Sequence, residues 1–323
     1  MAPGGERGSM VAVLFVKTSS LGDVIHHMPA VTDARRHLPD ARLSWVVEED
    51  FAPLVRLHPA VDEVIGVASR RWRRTPLAPS TWREMVAFAR AISLPLYDEI
   101  IDSQGLLRSA LIARRAHGRR HGYDWRSIRE PLASALYDVR HAVPGQAHAI
   151  QRNRLLTGSA LGYTPSGAAD YGLVGAKLAQ PLDYGILFHA TARREKEWPI
   201  EFWISLAQAL TARGSLLVLP WGTPAERRRS EQIAAVVPAA RTPEHQPLDD
   251  MARLIAGAVF AVGVDTGLLH LAAALGVPLV AIFTGSRSDL TGPIGQAPLA
   301  VVGGENEIPT VAMVLAALER VQA

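Results

Sequence analysis

Val11-Ala12-Val13-Leu14-Phe15-Val16 runs straight into Lys17-Thr18-Ser19-Ser20-Leu21-Gly22-Asp23, and this join decides the architecture. An unbroken apolar run of six residues predicts a strand buried on both faces. The hydroxyl-rich loop and the acid behind it predict a helix from about Asp23 to His37. The same sequence of strand, loop and helix recurs outward from here. Leu43–Val47 reads as a second strand. Glu99–Ile101 is the core of a third, ending at Asp102, with a helix beginning near Leu106.

Around Ser166–Gln180 the chain turns small, polar and weakly periodic, which predicts a linker, and then the pattern restarts. Strands are expected at Tyr184–Phe188, Leu216–Leu219, Phe260–Val264 and Leu279–Phe283. Helices are expected at Ile200–Leu210, Pro224–Val236, Met251–Ala256, Leu268–Leu275 and about Thr310–Val321. Alternation of this kind predicts α/β architecture, with parallel sheets covered by helices on both faces. The expected division is a polar, Gly-rich extension over 1–9, one α/β half over 10–170, a second over 181–309 and a closing helix over 310–323. Ligands in such sheets sit beyond the carboxyl ends of the strands. The loops after Val16, Phe188, Leu219 and Val264 therefore carry the chemistry.

Composition narrows the classes. Of 323 residues, 48% are hydrophobic and 20% charged, enough for a sizeable core, and cysteine is absent. Disulfides and thiolate metal sites are thereby excluded. The longest apolar stretch, Gly267–Gly285, contains His270, Gly276 and Pro278, so it predicts a helix, a turn and a strand rather than a membrane span. With no secretory signal core, a cytoplasmic location is expected.

The net charge is only +3, but residues 68–130 hold 13 arginines against 6 acids, a local +7. Such a region suits an anionic partner or simply solvates helix faces. Within it, Arg70, Arg71, Arg73 and Arg74 surround Trp72 and can grip phosphates or carboxylates. Nucleic acid is not expected, because no zinc-finger, RRM or P-loop pattern accompanies the cluster. Lysine is rare at three residues, Lys17, Lys177 and Lys196. Where arginine is so freely used, each marks a position suited to a compact ammonium.

Four strand ends carry candidate groups, each with a plain alternative. After the first strand, Lys17, Ser19, Ser20 and Gly22 form an oxygen-binding loop, and Asp23 serves either as a helix cap or as a general base. After Phe188, Thr191 and Lys196 can hold a diphosphate, or Lys196 joins a surface ion-pair cluster with Arg194, Glu195 and Glu197. After Leu219, Glu226 either accepts ribose hydroxyls or favours its helix start. After Val264, the step Asp265-Thr266-Gly267 with His270 one turn on turns helix N–H groups outward, and Gly267 permits close approach of an anion. Alternatively Asp265 is a cap and His270 a core residue. Gly-x-Gly-x-x-Gly, Gly-x-Ser-x-Gly, His-Glu-x-x-His and Asp-x-Asp patterns are absent.

Taken together these segments resemble the lipopolysaccharide heptosyltransferase I family, within glycosyltransferase family 9. The resemblance runs from Val11 to the last helix. It is carried by Val-Lys-Thr-Ser-Ser-Leu-Gly-Asp (16–23), Trp-Val-Val-Glu-Glu (45–49), Arg-Arg-Trp-Arg-Arg (70–74) and Asp-Ser-Gln-Gly-Leu (102–106). His-Gly-Tyr-Asp-Trp (121–125), Arg-Glu-Pro-Leu-Ala-Ser (129–134), Leu-Pro-Trp-Gly (219–222) and Val-Asp-Thr-Gly-Leu (264–268) complete the set.

The resemblance implies a GT-B fold of two Rossmann-like domains, an acceptor-binding one over 10–170 and a donor-binding one over 181–309. It implies inverting transfer of L-glycero-D-manno-heptose from ADP-L-glycero-D-manno-heptose to the inner Kdo of Kdo2-lipid A, without a metal or other cofactor. It also implies peripheral contact with the cytoplasmic leaflet of the inner membrane. By the same resemblance Asp23 is the base. Thr191, Lys196, Glu226, Asp265, Thr266, Gly267 and His270 bind the donor. Lys17, Ser19, Ser20, Gly22, Arg70, Arg71, Arg73 and Arg74 receive the acceptor. Two departures stand out: Ala192 where the family often has threonine, and Gln246 where it has methionine. Rival readings are a sister transferase adding a later core heptose, a nucleotide-sugar epimerase and a non-catalytic polyanion-binding protein.

Overall fold

A computed structural model describes residues 10–173, 182–191, 193–285, 288–304 and 307–323. The extension over 1–9, Lys177, Ala192 and the later part of the expected linker lie outside these residues. The linker's described part, 166–173, is irregular.

Strands β1 to β6 are Ala12–Val16, Arg42–Glu48, Glu63–Val67, Leu96–Asp102, His117–Tyr123 and Val139–His141. Strands β7 to β12 are Tyr184–Phe188, Leu216–Val218, Ala240–Arg241, Phe260–Val264, Leu279–Phe283 and Leu299–Gly303. The helices of the first half are α1 (Leu21–His37), α2 (Ala52–Val55), α3 (Ser69–Trp72), α4 (Pro79–Ser93), α5 (Leu107–Ala113), α6 (Pro131–Ser134) and α7 (Ala149–Leu161). Those of the second are α8 (Ile200–Ala212), α9 (Pro224–Val236), α10 (Leu248–Ala256), α11 (Gly267–Leu275), α12 (Ser288–Thr291) and α13 (Val311–Gln322).

Two six-stranded sheets result, ordered β3-β2-β1-β4-β5-β6 and β12-β11-β10-β7-β8-β9. Neighbouring strands pair in parallel throughout. Counted from its own first strand, each sheet has the same order, 3-2-1-4-5-6, which is that of a dinucleotide-binding fold. The order reverses between the first and fourth strands, β1 and β4 in one sheet and β7 and β10 in the other. Ligands of such sheets bind at that reversal. The expected α/β class of two Rossmann-like sheets is what the chain adopts.

The strands that read most clearly are those covered on both faces. Val13–Val16, every residue of β10 and every residue of β11 are buried. In the first sheet Leu14, Val16, Val46, Ile65, Val67, Ile92 and Ile100 pack together. In the second, Trp198 and Trp203 meet edge to face at 5.0 Å, and Val314, Ala317, Leu318 and Val321 of α13 join the core over Val280, Ile282 and Val302. Each fully buried aliphatic side chain there contributes about 1.5–3 kcal/mol.

The chain clusters into two compact units whose bounds differ from a single break near 170–181. One runs up to Ser19 and includes His27–Gly145 and Gln151–Gly167; the other holds Ser20–His26, Gln146–Ile150 and everything from Ala168. The reason is local packing: the first turn of α1 touches α11, as described below. Among the described residues no helix is long and apolar enough to cross a membrane. Gly267–Gly285 folds as α11, a left-handed turn at Gly276 (φ 74°) and β11, as its sequence predicts.

Candidate active site

In the first unit, the loops after β1 and β4 are locked together. The side-chain oxygen of Gln104 accepts the backbone N–H groups of Thr18 and Ser19, each at 3.1 Å. The ammonium of Lys17, only 6% exposed, donates to the Ser103 carbonyl at 2.8 Å. Arg108 reaches the Ser19 hydroxyl at 3.3 Å. Beneath them Asp102 is fully buried. It accepts the N–H of Gln104 at 2.9 Å and the hydroxyl of Tyr137 at 2.7 Å. Burial raises its pKa, against the pull of these donors. Gln104 and Asp102 are recognisable in the sequence only through the Asp-Ser-Gln-Gly-Leu stretch.

The arginine cluster of the first unit is not four equivalent cations. Glu48, which is buried, accepts the Arg70 N–H at 2.8 Å and the Ser69 hydroxyl at 2.7 Å, and so anchors α3 at the end of β2. Arg71 is gripped by Glu49 and Glu84 together, at 2.8 Å and 2.6 Å. Those hydrogen bonds raise the Arg71 pKa and lower that of Glu84. Arg70 lies 3.8 Å from Asp50 and over the Phe51 ring. Arg73 reaches only the Ser69 carbonyl, at 3.3 Å. Among the described residues Arg73 and Arg74 have no acidic partner. The sequence cluster therefore offers two uncompensated guanidiniums, not four.

In the second unit, α1 begins at the Ser20-Leu21-Gly22-Asp23 step. One carboxylate oxygen of Asp23 accepts the Ser20 N–H at 2.8 Å and the Ser20 hydroxyl at 3.0 Å. This is helix capping, one of the two roles expected for Asp23. Its other oxygen makes no hydrogen bond among the described residues. Glu226 behaves alike at α9. It accepts the N–H groups of Gly222 and Thr223 at 2.7 Å and 3.0 Å, while Thr223 accepts the Glu226 N–H. Its second oxygen likewise has no described partner.

The loops after β7 and β10 converge on Asp265. Lys196, in a 3-10 turn over Arg194–Lys196, donates to one carboxylate oxygen at 2.5 Å, with side chains 17% and 10% exposed. His270 stands 3.7 Å from the other oxygen. The Thr191 hydroxyl donates to the Asp265 carbonyl at 3.0 Å. The alternative of Lys196 paired within its own loop is thus not the arrangement found. Thr266 opens α11 without a side-chain cap, so the helix-start N–H groups there are not closed off by it.

The start of α1 packs on this network. A Cβ at Gly22 would sit 3.1 Å from the His270 ring, and one at Gly267 would sit 2.7 Å from Leu21. Gly267 is therefore required by the Leu21 side chain, a reason other than the anion approach its sequence suggests. The second ring nitrogen of His270 meets His26 at 3.2 Å, with either tautomer possible, and the His148 ring lies 5.5 Å from that of His26. His26 and His148 carry no motif and were invisible in the sequence. Contacts thus run from the residue beside Asp23, through His270 and Asp265, to Lys196. The chemistry available is a carboxylate with one oxygen open, an ammonium with N–H donors beyond the one given to Asp265, and a helix N-terminus.

Comparisons with known proteins show the family. The family model described as glycosyltransferase family 9 (heptosyltransferase) matches residues 85–317. The chain is 41% identical over 302 residues to lipopolysaccharide heptosyltransferase 1 of Escherichia coli O18:K1:H7 (strain RS218 / NMEC), covering 92% of this chain and 93% of that one. It is similar in structure to the E. coli heptosyltransferase WaaC with ADP, at a TM-score of 0.90 and 39% identity, covering 96% of this chain and 99% of that one. The same enzyme with ADP-2-deoxy-2-fluoro heptose superposes at a TM-score of 0.87, with the same identity and coverage. The family model spans most of the chain and the relatives cover nearly all of it, and the chain accordingly belongs to glycosyltransferase family 9, the heptosyltransferases.

Proposed function

We propose that this enzyme moves L-glycero-D-manno-heptose from ADP-heptose to the inner Kdo of Kdo2-lipid A, with inversion at the anomeric carbon. The observation that carries the reading is the Lys196–Asp265–Thr191 network at the reversal of the second sheet, where a dinucleotide-binding fold receives its ligand. The likeness to a structure that contains an ADP-heptose analogue supports the same donor.

The chemistry follows from the groups present. Asp23 takes the proton of the acceptor hydroxyl through its open oxygen as the hydroxyl oxygen bonds to the anomeric carbon. The bond from that carbon to the diphosphate breaks, and ADP leaves with the electron pair. Lys196, Thr191 and the start of α11 stabilise the negative charge on the departing diphosphate. Glu226 receives ribose hydroxyls on its second oxygen. Asp265 orients Lys196, and His270 orients Asp265. No metal is required, because the ammonium and helix N–H groups supply the positive field. Ser19, Ser20, Gly22, Arg73 and Arg74 line the acceptor side, with Lys17 holding their loop in place from beneath. The enzyme works at the cytoplasmic face of the inner membrane, by peripheral contact.

A coupled assay of ADP release from ADP-heptose, with and without Kdo2-lipid A, tests this. Release that depends on that acceptor is expected. Donor consumption without any acceptor identifies an epimerase or hydrolase instead. Acceptance only of an already heptosylated core identifies a sister transferase.

A further inference from the structure

Helices α4 and α5 of the first unit leave an apolar groove of about 600 Å³ open to solvent. Trp72, Trp82, Val86, Phe88, Leu107 and Leu111 are among its lining residues. Trp82 is 57% exposed, Leu111 52% and Val86 49%. On α4, Trp82, Met85, Val86 and Ala89 recur at the helical spacing that makes one continuous stripe. Thr81 and Ile92 are buried along the inner edge of the same stripe, and Ile92 forms part of the groove floor. A stripe of large apolar side chains facing water is the informative departure from ordinary surface composition.

The charged side chains that line the groove are all of one sign. Arg108 and Arg115 line it, and no Asp or Glu does. A shallower depression on the outer side of α4 is lined by Trp82, Val86 and Ala87 with Arg83 and Arg90. Among the described residues Arg83, Arg90, Arg108, Arg114 and Arg115 form no ion pair with an acid, and neither do Arg73 and Arg74 in the adjoining loop. A second copy docked face to face would press like charges together. An apolar stripe carrying an exposed tryptophan, flanked by the exposed Arg83, Arg90, Arg114 and Arg115, has the chemistry of a helix lying in a lipid–water interface.

We infer that the α4–α5 groove is the surface by which this enzyme docks on an anionic phospholipid bilayer. Trp82, Val86 and Leu111 enter the acyl–headgroup boundary, and Arg83, Arg90 and Arg115 pair with lipid phosphates. The inference rests on the reading of a lipid-borne acceptor, and gives that reading a specific surface.

The test is sedimentation of the full chain with vesicles of phosphatidylglycerol and phosphatidylethanolamine, against vesicles of phosphatidylcholine. Binding to the anionic vesicles alone is expected, weakening as salt is raised. Val86→Asp with Leu111→Asp is expected to lower vesicle binding at least tenfold. The charge-reversal pair Arg83→Glu with Arg90→Glu is expected to do the same, and these exposed helix positions keep the test open if the first pair misfolds. Both pairs keep wild-type ADP release with a fully deacylated, water-soluble Kdo acceptor. Wild-type failure to bind anionic vesicles overturns the inference, as does unchanged binding by folded variants. So does a concentration-dependent dimer that Val86→Asp with Leu111→Asp dissolves. Vesicle binding without ADP release from any Kdo acceptor would leave the surface standing and sink the functional reading instead.

Discussion

Two acids occupy the same place in the two sheets. Asp102 ends the fourth strand of the first, and Asp265 follows the fourth strand of the second; in each case the loop after the sheet's first strand sends a lysine toward the step. In the first unit Lys17 is buried and donates to the Ser103 backbone carbonyl, while Asp102 is sealed in with neutral donors. In the second Lys196 reaches the Asp265 carboxylate itself, and both side chains keep some access to solvent. One topology thus yields a structural pin in one copy and a charged, reachable site in the other. Burial and the choice of partner atom decide which, not position in the fold.

The hardest test of that contrast removes the acid beside the charged site. General-base catalysis typically contributes 10²–10⁴-fold, so Asp23→Ala is expected to lower turnover by about that factor while thermal unfolding shows a folded chain. Near-normal ADP release would place the base elsewhere. Next in size, Lys196→Ala removes a charge-assisted hydrogen bond worth roughly 1.5–3 kcal/mol, or about 10–100-fold in kcat/KM for the donor. Unchanged donor kinetics would reduce the second-unit network to another pin.

The first unit is expected to respond in stability. Tyr137→Phe leaves buried Asp102 short of its hydroxyl donor, and loss of about 1–3 kcal/mol is expected in urea unfolding. A variant as stable as wild type would break the view of Asp102 as a structural pin.

The smallest effect is a pH dependence in the second unit. Buried His189 shares a hydrogen bond of 2.7 Å with Ser230, and burial pushes its pKa down to about 4. The unfolded histidine, at its ordinary 6.5, binds the proton more readily. Stability is therefore full above pH 6.5 and falls as pH drops toward 4, by about 1 kcal/mol at pH 5.5. His189→Gln should flatten that part of the urea-midpoint profile, and an unchanged slope would assign it to other groups.

The sequence showed the frame where apolar strands are covered on both faces, as in β1, β7, β10 and β11. It did not show β5, whose His-Gly-Arg-Arg-His-Gly-Tyr has no apolar run. That strand is satisfied by cross-strand charge instead: Arg119 and His121 meet Glu99, and Arg120 meets Asp138. Helix α4 carries an apolar stripe at helical spacing, but it lies inside the arginine-rich stretch over 68–130, where charge is the stronger local signal. At Asp23 and Glu226 spacing left both cap and functional roles open. The structure shows the cap in each, using one oxygen and leaving the other. His26 and His148 are brought to His270 by tertiary packing, which no local pattern encodes. Of the expected Arg70–Arg74 cation cluster, Arg71 is neutralised by Glu49 and Glu84, partners that charge counting alone could not assign.

Position 267 acts as a shim of one hydrogen atom. A methyl there cannot share space with Leu21, so the turn or the helix must yield. Leu21 lies two residues before Asp23 and Gly267 two after Asp265, so displacement reaches both carboxylates through stiff backbone rather than pliable side chain. A tolerance that both carboxylates depend on is thereby held by a single glycine, and substitutions at 267 report on alignment before they report on charge.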